Sequence, residues 1–347
     1  MQKKILVGMS GGVDSTLSVH ILKDMGYEIA GVNCLFCPGE STLLDVSDAE
    51  KAAEKAMVPF HVLDLRSEFS EKVIGNFIST YECGGTPNPC IVCNKHLKFG
   101  SMLDKALVMG FDYIATGHYA RIDFDKSTGR YMLKKGLDEK KDQSYFLYTL
   151  TQHQLKHTLF PLGDMTKDAV REMAESLELI NAKKRDSQDI CFIPDGDYAA
   201  FIERSLGKTY SKGNFIDTSG NILGEHQGII HYTVGQRKGL GIALGKPAFV
   251  RNIDPQSNTV TLCDNEELFS VELTAKNINL ISADILNKPM RVKAKIRYRH
   301  EAQWATVTQV DSDTLHVVFD EPQRAITKGQ AVVLYDGDTV VGGGEIQ

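Results

Sequence analysis

Val7-Gly8-Met9-Ser10-Gly11-Gly12-Val13-Asp14-Ser15 is the stretch whose reading decides the fold of this chain. The apolar run Ile5-Leu6-Val7 leads into it, and Leu17, Ile21 and Met25 follow at four-residue spacing. This pattern predicts a buried strand, a glycine turn and the start of an amphipathic helix. Gly11 and Gly12 let the backbone approach an anion closely, and a helix N-terminus points free N–H groups at it. Ser10 and Ser15 add hydroxyl donors, and Asp14 could hold a Mg²⁺ that accompanies phosphate. The spacing is neither G-x-x-x-x-G-K-S nor G-x-G-x-x-G, so neither a Walker A loop nor a dinucleotide fingerprint fits.

S-G-G-x-D-S resembles the pyrophosphate loop of the PP-loop ATPases, which cleave ATP between its α and β phosphates to adenylate a substrate. The surrounding chain alternates strands and helices. Glu28–Phe36, Phe60–Leu65 and Asp112–Thr116 read as strands. Ser67–Tyr81, Leu97–Met109 and Thr166–Leu179 read as helices, and Ser47-x-x-Glu50 as a capping box opening a helix through Met57. Repeated β–α units imply a doubly wound parallel sheet with ligand crevices at the C-terminal ends of its strands. After Leu206 the helical period fades, and turn signals such as Asp254-Pro255-Gln256-Ser257-Asn258 separate short alternating runs. The expected architecture is an α/β catalytic domain over 1–204, a central β-rich domain over 205–270 and a β-barrel-like domain over 271–347.

Composition narrows the class. The chain has 347 residues, 42% hydrophobic and 24% charged, with a net charge of −6. These are ordinary values for a water-soluble globular protein. No signal peptide and no membrane-spanning stretch is read, which predicts a cytoplasmic location. The net acidity does not itself point to a nucleic-acid partner, so such a partner must be argued from local patches. Seven cysteines, an odd number, point to thiol chemistry in a reducing compartment rather than a disulfide framework.

Thr86-Pro87-Asn88-Pro89-Cys90-Ile91-Val92-Cys93-Asn94-Lys95 reads as a proline-stiffened loop entering a helix. A helix N-terminus and Lys95 would both lower the Cys93 pKa. Cys191 lies in Ser187-Gln188-Asp189-Ile190-Cys191-Phe192, just after the cationic run Lys183-Lys184-Arg185. Cys34, Cys83 and Cys263 read as small buried hydrophobes. Cys90-x-x-Cys93 with Cys191 could also ligate an iron–sulfur cluster with one open position. A structural zinc would ask for a fourth protein ligand.

These motifs closely resemble the tRNA-specific 2-thiouridylase family along the whole chain. Gly117-His118-Tyr119, Lys141-Asp142-Gln143-Ser144, Val234-Gly235-Gln236-Arg237 and Gly342-Gly343-Gly344 extend the match. The resemblance implies ATP and Mg²⁺ as cofactors, adenylation of the C2 oxygen of the tRNA wobble uridine, and formation of 2-thiouridine. It implies ATP contacts at Gly8, Met9, Ser10, Gly11, Gly12, Val13, Asp14, Ser15, Cys34 and Gly117. Cys93 matches the family's nucleophile and Cys191 its persulfide carrier, and the two can form a disulfide. Asn88, Pro89 and Cys90 would meet the target base. His118, Lys141, Asp142, Gln143, Arg297, Tyr298 and Gln330 would contact tRNA. The implied partners are tRNA and a protein sulfur donor, either a cysteine desulfurase or a sulfur relay protein. Cys90 departs from the family pattern, in which many members carry Asp, so an acid or base role there is not carried over.

Arg291-Val292-Lys293-Ala294-Lys295-Ile296-Arg297-Tyr298-Arg299-His300 is an independent pointer to RNA. Strand periodicity would put Arg291, Lys293, Lys295, Arg297 and Arg299 on one face. Like charges so aligned need compensation, which a phosphate backbone supplies. Lys134-Lys135 and Lys140-Lys141 add basic character. Two other readings remain at this point: a PP-loop ligase acting on a small molecule, and a non-enzymatic RNA-binding β module. The first needs neither the paired cysteines nor the cationic strand. The intact Ser10, Gly11, Gly12, Asp14 and Ser15 speak against the second.

Overall fold

The computed structural model describes residues 2–37, 40–182 and 190–347, without the side chains of 40–43. Lys183-Lys184-Arg185 and Asp186-Ser187-Gln188-Asp189 lie outside the described residues.

The chain opens with β1 (Lys4–Gly8), whose Ile5, Leu6 and Val7 are fully buried. It pairs in parallel with β2 (Glu28–Leu35) on one side and β4 (Tyr113–Ala115) on the other. β3 (Phe60–Asp64) and β7 (Thr158–Leu159) complete a five-stranded parallel sheet, ordered β3-β2-β1-β4-β7. The strand order reverses at β1, so crevices open at the C-terminal ends of β1, β2 and β4. The glycine loop leaves β1 there and enters α1 (Val13–Asp24) at its Gly12 N-cap. The expected parallel-sheet domain is therefore present, with its loop at the switch point.

Two element boundaries differ from the sequence reading. The helix expected to start at Ser47 runs instead over Glu40–Lys55, here α2. Nothing in Glu40-Ser41-Thr42-Leu43-Leu44-Asp45-Val46 breaks a helix, so the Ser47-x-x-Glu50 pattern falls inside it. Cys90 and Cys93 lie in a helical segment, Pro89–Cys93, that continues without a break into the helix expected from Leu97. Pro89 is at its first turn and the Asn88 side chain caps Ile91 N–H. The stretch Asn94–Ser101 then winds as a π-helix, a form that recurs at functional sites.

The hairpin β5 (Ala120–Asp125) and β6 (Arg130–Lys135) was not legible in the sequence. It joins the last strand of the chain through Lys134 and Thr339. The central unit is a four-stranded sheet of β8 (Gly213–Ile216), β9 (Ile222–His226), β10 (Phe249–Asp254) and β11 (Thr259–Cys263). The last unit contains β12 (Phe269–Leu280), β13 (Met290–Lys295), β14 (Gln303–Gln309), β15 (Leu315–Arg324), β16 (Ala331–Asp336) and β17 (Thr339–Ile346). Pairing of β12 with both β15 and β17 closes these six strands into a barrel.

Apolar burial ties the units together. One core joins Phe99, Leu103 and Tyr145 of the first part to Ala331, Val333 and Tyr335 of the barrel. The Tyr145 hydroxyl donates to Ala331 O at 3.0 Å, which satisfies the polar end of a fully buried ring. A second core joins Phe69, Phe77, Cys93 and Phe192 to Phe215, Ile230 and Val250 of the central unit. Among the described residues, no helix is long and apolar enough to cross a membrane.

Candidate active site

The loop after β1 is held open by its own hydroxyls and by groups from distant segments. Ser15 Oγ donates to Gly12 O at 3.1 Å and accepts from Ser10 N at 3.2 Å. Met9 is fixed to β2 twice, through Met9 N to Val32 O and through Asn33 Nδ2 to Met9 O. Asn181 Nδ2 donates to Gly12 O at 3.0 Å and to Thr16 Oγ1 at 2.7 Å. Gly11 has φ +73°, and a Cβ there would meet Asp45 O and Asp48 Cβ at 3.0 Å. Gly117, which follows β4, needs its missing side chain for another reason. A Cβ would lie 2.9 Å from the Asp14 backbone carbon, so the 116–119 loop packs directly on the start of α1. The sequence-predicted ATP residues Gly8, Met9, Ser10, Gly11, Gly12, Val13, Asp14, Ser15 and Gly117 thus line one corner of the sheet.

Asp14 does not stand ready for a metal. Both its carboxylate oxygens accept from Lys167 Nζ, at 2.8 and 2.9 Å, and Oδ1 also accepts from the Tyr119 hydroxyl. An ammonium and a hydroxyl hydrogen sit where a cation would need oxygen ligands, so this donor set does not fit Mg²⁺. The structure instead places a lysine, almost wholly buried, at the start of α1. Lys167 was missed because it lies far along the chain from Asp14 and only folding brings it there. Asn181 was missed for the same reason.

A second corner of the site carries sulfur. Cys34 lies one residue before the end of β2, next to Asn33, which is bonded to the glycine loop. Cys34 and Cys37 pack in the same apolar cluster as Cys93 and Phe192. Phe192 is inserted among Phe69, Phe77 and Phe201, with ring centroids 5.5, 5.3 and 5.2 Å away. That anchor fixes the neighbouring Cys191, whose own side chain stays exposed.

The thiols differ in acidity for identifiable reasons. Cys191 is lowered to about 7, first by a hydrogen bond from the Cys37 thiol and then by the Lys98 ammonium. Cys37 is pushed up, because its proton is held in that bond and its surroundings are apolar. Cys93 is buried and raised to about 12, against the sequence expectation of a thiolate. It lies one turn into its helix inside a core, so desolvation outweighs the helix N-terminus. Lys95 is exposed, and the cation that acts on Cys93 is Lys98. Desolvation by apolar neighbours likewise raises the half-buried Cys34 to about 12 and moves Cys90 upward, although part of the Cys90 side chain is open to solvent. Cys263 is buried as expected, but Cys83 is exposed because it caps a helix end ahead of a glycine turn.

Lys98 also lowers the thiols of Cys34 and Cys90, so it faces the whole group. Replacing it with Met should shift the midpoint of Cys191 alkylation above about 7. Peptide-resolved iodoacetamide rates measured against pH check this, and an unmoved midpoint would refute Lys98 as the cation. Among the described residues, no three Cys, His, Asp or Glu side chains are gathered to hold one ion.

The residues expected to touch tRNA divide into two groups. Asp142 is 6% exposed and its carboxylate accepts from Gly136 N, Ser144 N and Ser144 Oγ. Gln143 Oε1 accepts from Tyr119 N, and Gln330 Nε2 donates to Thr86 O and Pro87 O. His118 is buried, bonded to Thr116 Oγ1 at 2.7 Å, and its pKa is well below the usual histidine range through burial. These four side chains position the loops around the site. Asn88 caps the Cys90–Cys93 helix, and the buried Pro89 starts it. Cys90 is exposed and presents the lip of the site.

The cationic strand is shorter than expected. β13 ends at Lys295, and Arg297 to His300 form a turn, so Arg297 and Arg299 do not continue its face. Arg291 is paired with Asp320, and Arg291 and Lys293 lie over the half-exposed Trp304 ring. Lys295 sits over the Tyr145 and Tyr298 rings. Tyr298 packs against Phe146 at a tilt of 39°, 4.3 Å between centroids, and Arg297 Nη2 donates to Arg324 O. Lys134 pairs with Asp123 and Lys135 lies over Tyr335.

Three family descriptions match the chain in order. They are the tRNA methyl transferase HUP domain over 3–195, its PRC-barrel domain over 199–264 and an aminomethyltransferase β-barrel domain over 270–346. The tRNA-specific 2-thiouridylase MnmA of Clostridioides difficile (strain 630) is 53% identical over 100% of this chain and 99% of its own length. Its counterpart in Acetivibrio thermocellus is also 53% identical, with the same coverage. That of Clostridium acetobutylicum is 50% identical over 100% of both. Among solved structures, the U34-tRNA thiolase NcsA of Methanococcus maripaludis overlaps 59% of this chain and 67% of its own, at TM-score 0.37 and 19% identity. With an anion loop, a set of converging thiols and full-length relatives of this identity, the chain belongs to the tRNA-specific 2-thiouridylase family.

Proposed function

We propose that this chain is an ATP-dependent sulfurtransferase that exchanges the C2 oxygen of the tRNA wobble uridine for sulfur. The observation that carries the reading is the acidified, exposed Cys191 thiol, set beside Cys37 and in reach of the charges of Cys90 and Cys93. It stands at the end of the sheet that also bears the anion loop. A phosphate loop alone supports any adenylating ligase. A thiolate at neutral pH among further thiols supports sulfur as the group transferred.

The steps follow from the residues. The loop 8–15 binds the polyphosphate of ATP, with the Cys34 and Gly117 backbones beside the adenine. The uracil C2 oxygen attacks the α phosphate and pyrophosphate leaves, which turns a poor leaving group into AMP. A persulfide on Cys191, loaded by a protein sulfur donor, attacks C2 with its terminal sulfur, and AMP departs with the oxygen. The Cys93 sulfur then attacks Cys191 Sγ, the Cys93–Cys191 disulfide forms, and the electron pair of the broken S–S bond leaves on the 2-thiouridine sulfur. Asn88, Pro89 and Cys90 frame the base, on a loop that Gln330 clamps from the barrel. We place ATP and sulfur chemistry in 1–204, a supporting wall in 205–270 and tRNA contact in 271–347. Arg297, Tyr298 and Lys141 remain our assigned tRNA contacts, joined by the exposed Lys293, Arg299 and Trp304. His118, Asp142, Gln143 and Gln330 support them from behind.

The deciding experiment is mass spectrometry of nucleosides from tRNA incubated with the protein, ATP and a sulfur donor. We expect 2-thiouridine that depends on ATP. A methylated nucleoside, or an unmodified one, would overturn the reading. Cys90→Ser is expected to keep substantial thiolation in iron-free, aerobically purified protein, because Cys90 is not needed to carry sulfur. Loss of activity equal to that of Cys191→Ser, restored in wild type only by iron and sulfide, would require a cluster instead.

A further inference from the structure

Lys167 is a buried cation to which the steps above give no task. It begins the helix Lys167–Ser176, which Thr166 caps, and its N–H donates to Asp138 Oδ2 at 2.9 Å. Its side chain runs to the glycine loop, where Nζ lies 2.8 and 2.9 Å from the two Asp14 oxygens and 5.7 Å from the centre of the Tyr119 ring. The ammonium thus stands at the first turn of α1, with its side chain only 7% exposed. A helix N-terminus favours anions and disfavours cations, and burial adds a desolvation cost. The charge is not needed as a latch. Val170 and Ala174 already pack this helix on Val13 and Leu17 of α1, and apolar contacts of that kind hold two elements as well as a buried ion pair does.

Resting on the adenylation reading above, we propose that Lys167 is the catalytic cation that meets the pyrophosphate half of ATP. When the uracil C2 oxygen attacks the α phosphorus, a new O–P bond forms and the bond from that phosphorus to the bridging oxygen breaks. The electron pair stays on the bridging oxygen, and pyrophosphate departs with the added negative charge. The N–H groups at the start of α1 offer that charge only partial positive charges. Lys167 supplies a full one, fixed in place before the reaction begins. It remains an ammonium throughout, so no proton moves. Asp14 is then the residue that aims Lys167 and keeps it charged until an anion shares its donors. The Tyr119 hydroxyl, 2.9 Å from Asp14 Oδ1, keeps that carboxylate hydrogen-bonded when Lys167 turns to the phosphate. The misfit between Asp14 and Mg²⁺ has the same cause: the cation at this carboxylate is a side chain of the protein itself.

The test is calorimetric titration of the full-length protein with inorganic pyrophosphate, α,β-methylene-ATP and AMP. Wild type should bind all three. Lys167→Met should weaken pyrophosphate and α,β-methylene-ATP by roughly 10- to 100-fold, the worth of a hydrogen bond to a charged group, and leave AMP affinity unchanged. Lys167→Arg, which keeps the charge, should recover most of that loss. Wild-type affinity for pyrophosphate in Lys167→Met would overturn the proposal. Equal weakening of AMP, the mark of a role confined to holding α1, would overturn it too, as would a wild type that binds no pyrophosphate. Where Lys167→Met unsettles the fold, Lys167→Gln keeps a donor for Asp14 without the charge, and the same comparison of pyrophosphate with AMP decides. In ATP–pyrophosphate exchange with tRNA, Lys167→Met should lower kcat and leave the KM for tRNA unchanged; a raised KM for tRNA with unchanged kcat would refute the assignment. None of these readouts involves sulfur. A wild type that binds pyrophosphate through Lys167 yet forms no thiouridine would therefore overturn the sulfur-transfer reading and uphold the role of Lys167.

Discussion

Cys191→Ser is expected to abolish 2-thiouridine formation completely while adenylated tRNA still accumulates. The physical reason is a separation of sites: activation depends on the loop after β1, and sulfur delivery on a side chain fixed by Phe192 in a different part of the sheet edge. Serine is close in size and keeps the aromatic anchor, but its hydroxyl neither ionises near neutrality nor carries sulfane sulfur. The wild-type enzyme should show the matching pH dependence. With Cys191 at about 7, its thiolate, and with it the rate of sulfur loading, is lost as pH falls through that value. Pyrophosphate release and thiouridine yield, measured on the same samples, check the separation. Thiouridine from the variant would refute Cys191 as the carrier.

Asp14→Ala is expected to eliminate ATP–pyrophosphate exchange and to destabilise the protein as well. The substitution removes a carboxylate that accepts from the Lys167 ammonium, whose side chain is only 7% exposed. Losing one side of a largely buried ion pair is destabilising, by up to ~3–5 kcal/mol. The double variant Asp14→Ala with Lys167→Met removes that charge, so it should recover most of the stability and none of the exchange. Thermal unfolding and exchange rates together separate the two effects. Full exchange in either variant would show that the pair is structural and that adenylation does not need it.

The site was legible in the sequence where chemistry depends on neighbours along the chain. The anion loop needs a strand, glycines and a helix start within a dozen residues, and all are written in 5–17. The helix start at Asn88-Pro89 and the weak helical period after Leu206 are local in the same sense. Where the reading failed, a distant partner had decided the matter. The hairpin 120–135 has short, mixed strands that become a sheet edge only against β17. The cationic stretch was read as one long strand, yet β13 ends where its pairing with β16 ends, at Lys295 and Val333. Asp142 and His118 were marked as tRNA contacts by family resemblance alone, and only the fold shows that both side chains are buried and bonded within loops.

The sequence by itself determined the parallel-sheet class, the place of the anion loop and the identity of Cys93 and Cys191 as the thiols to examine. The tertiary structure alone decided which of these thiols is acidic. Burial in an apolar core raises Cys93, and the Cys37 hydrogen bond with the Lys98 charge lowers Cys191, although neither partner is near it in sequence. It also decided that Asp14 holds Lys167. Periodicity and spacing report on neighbours within a few turns, whereas desolvation and ion pairing depend on which distant groups the folded chain brings into contact.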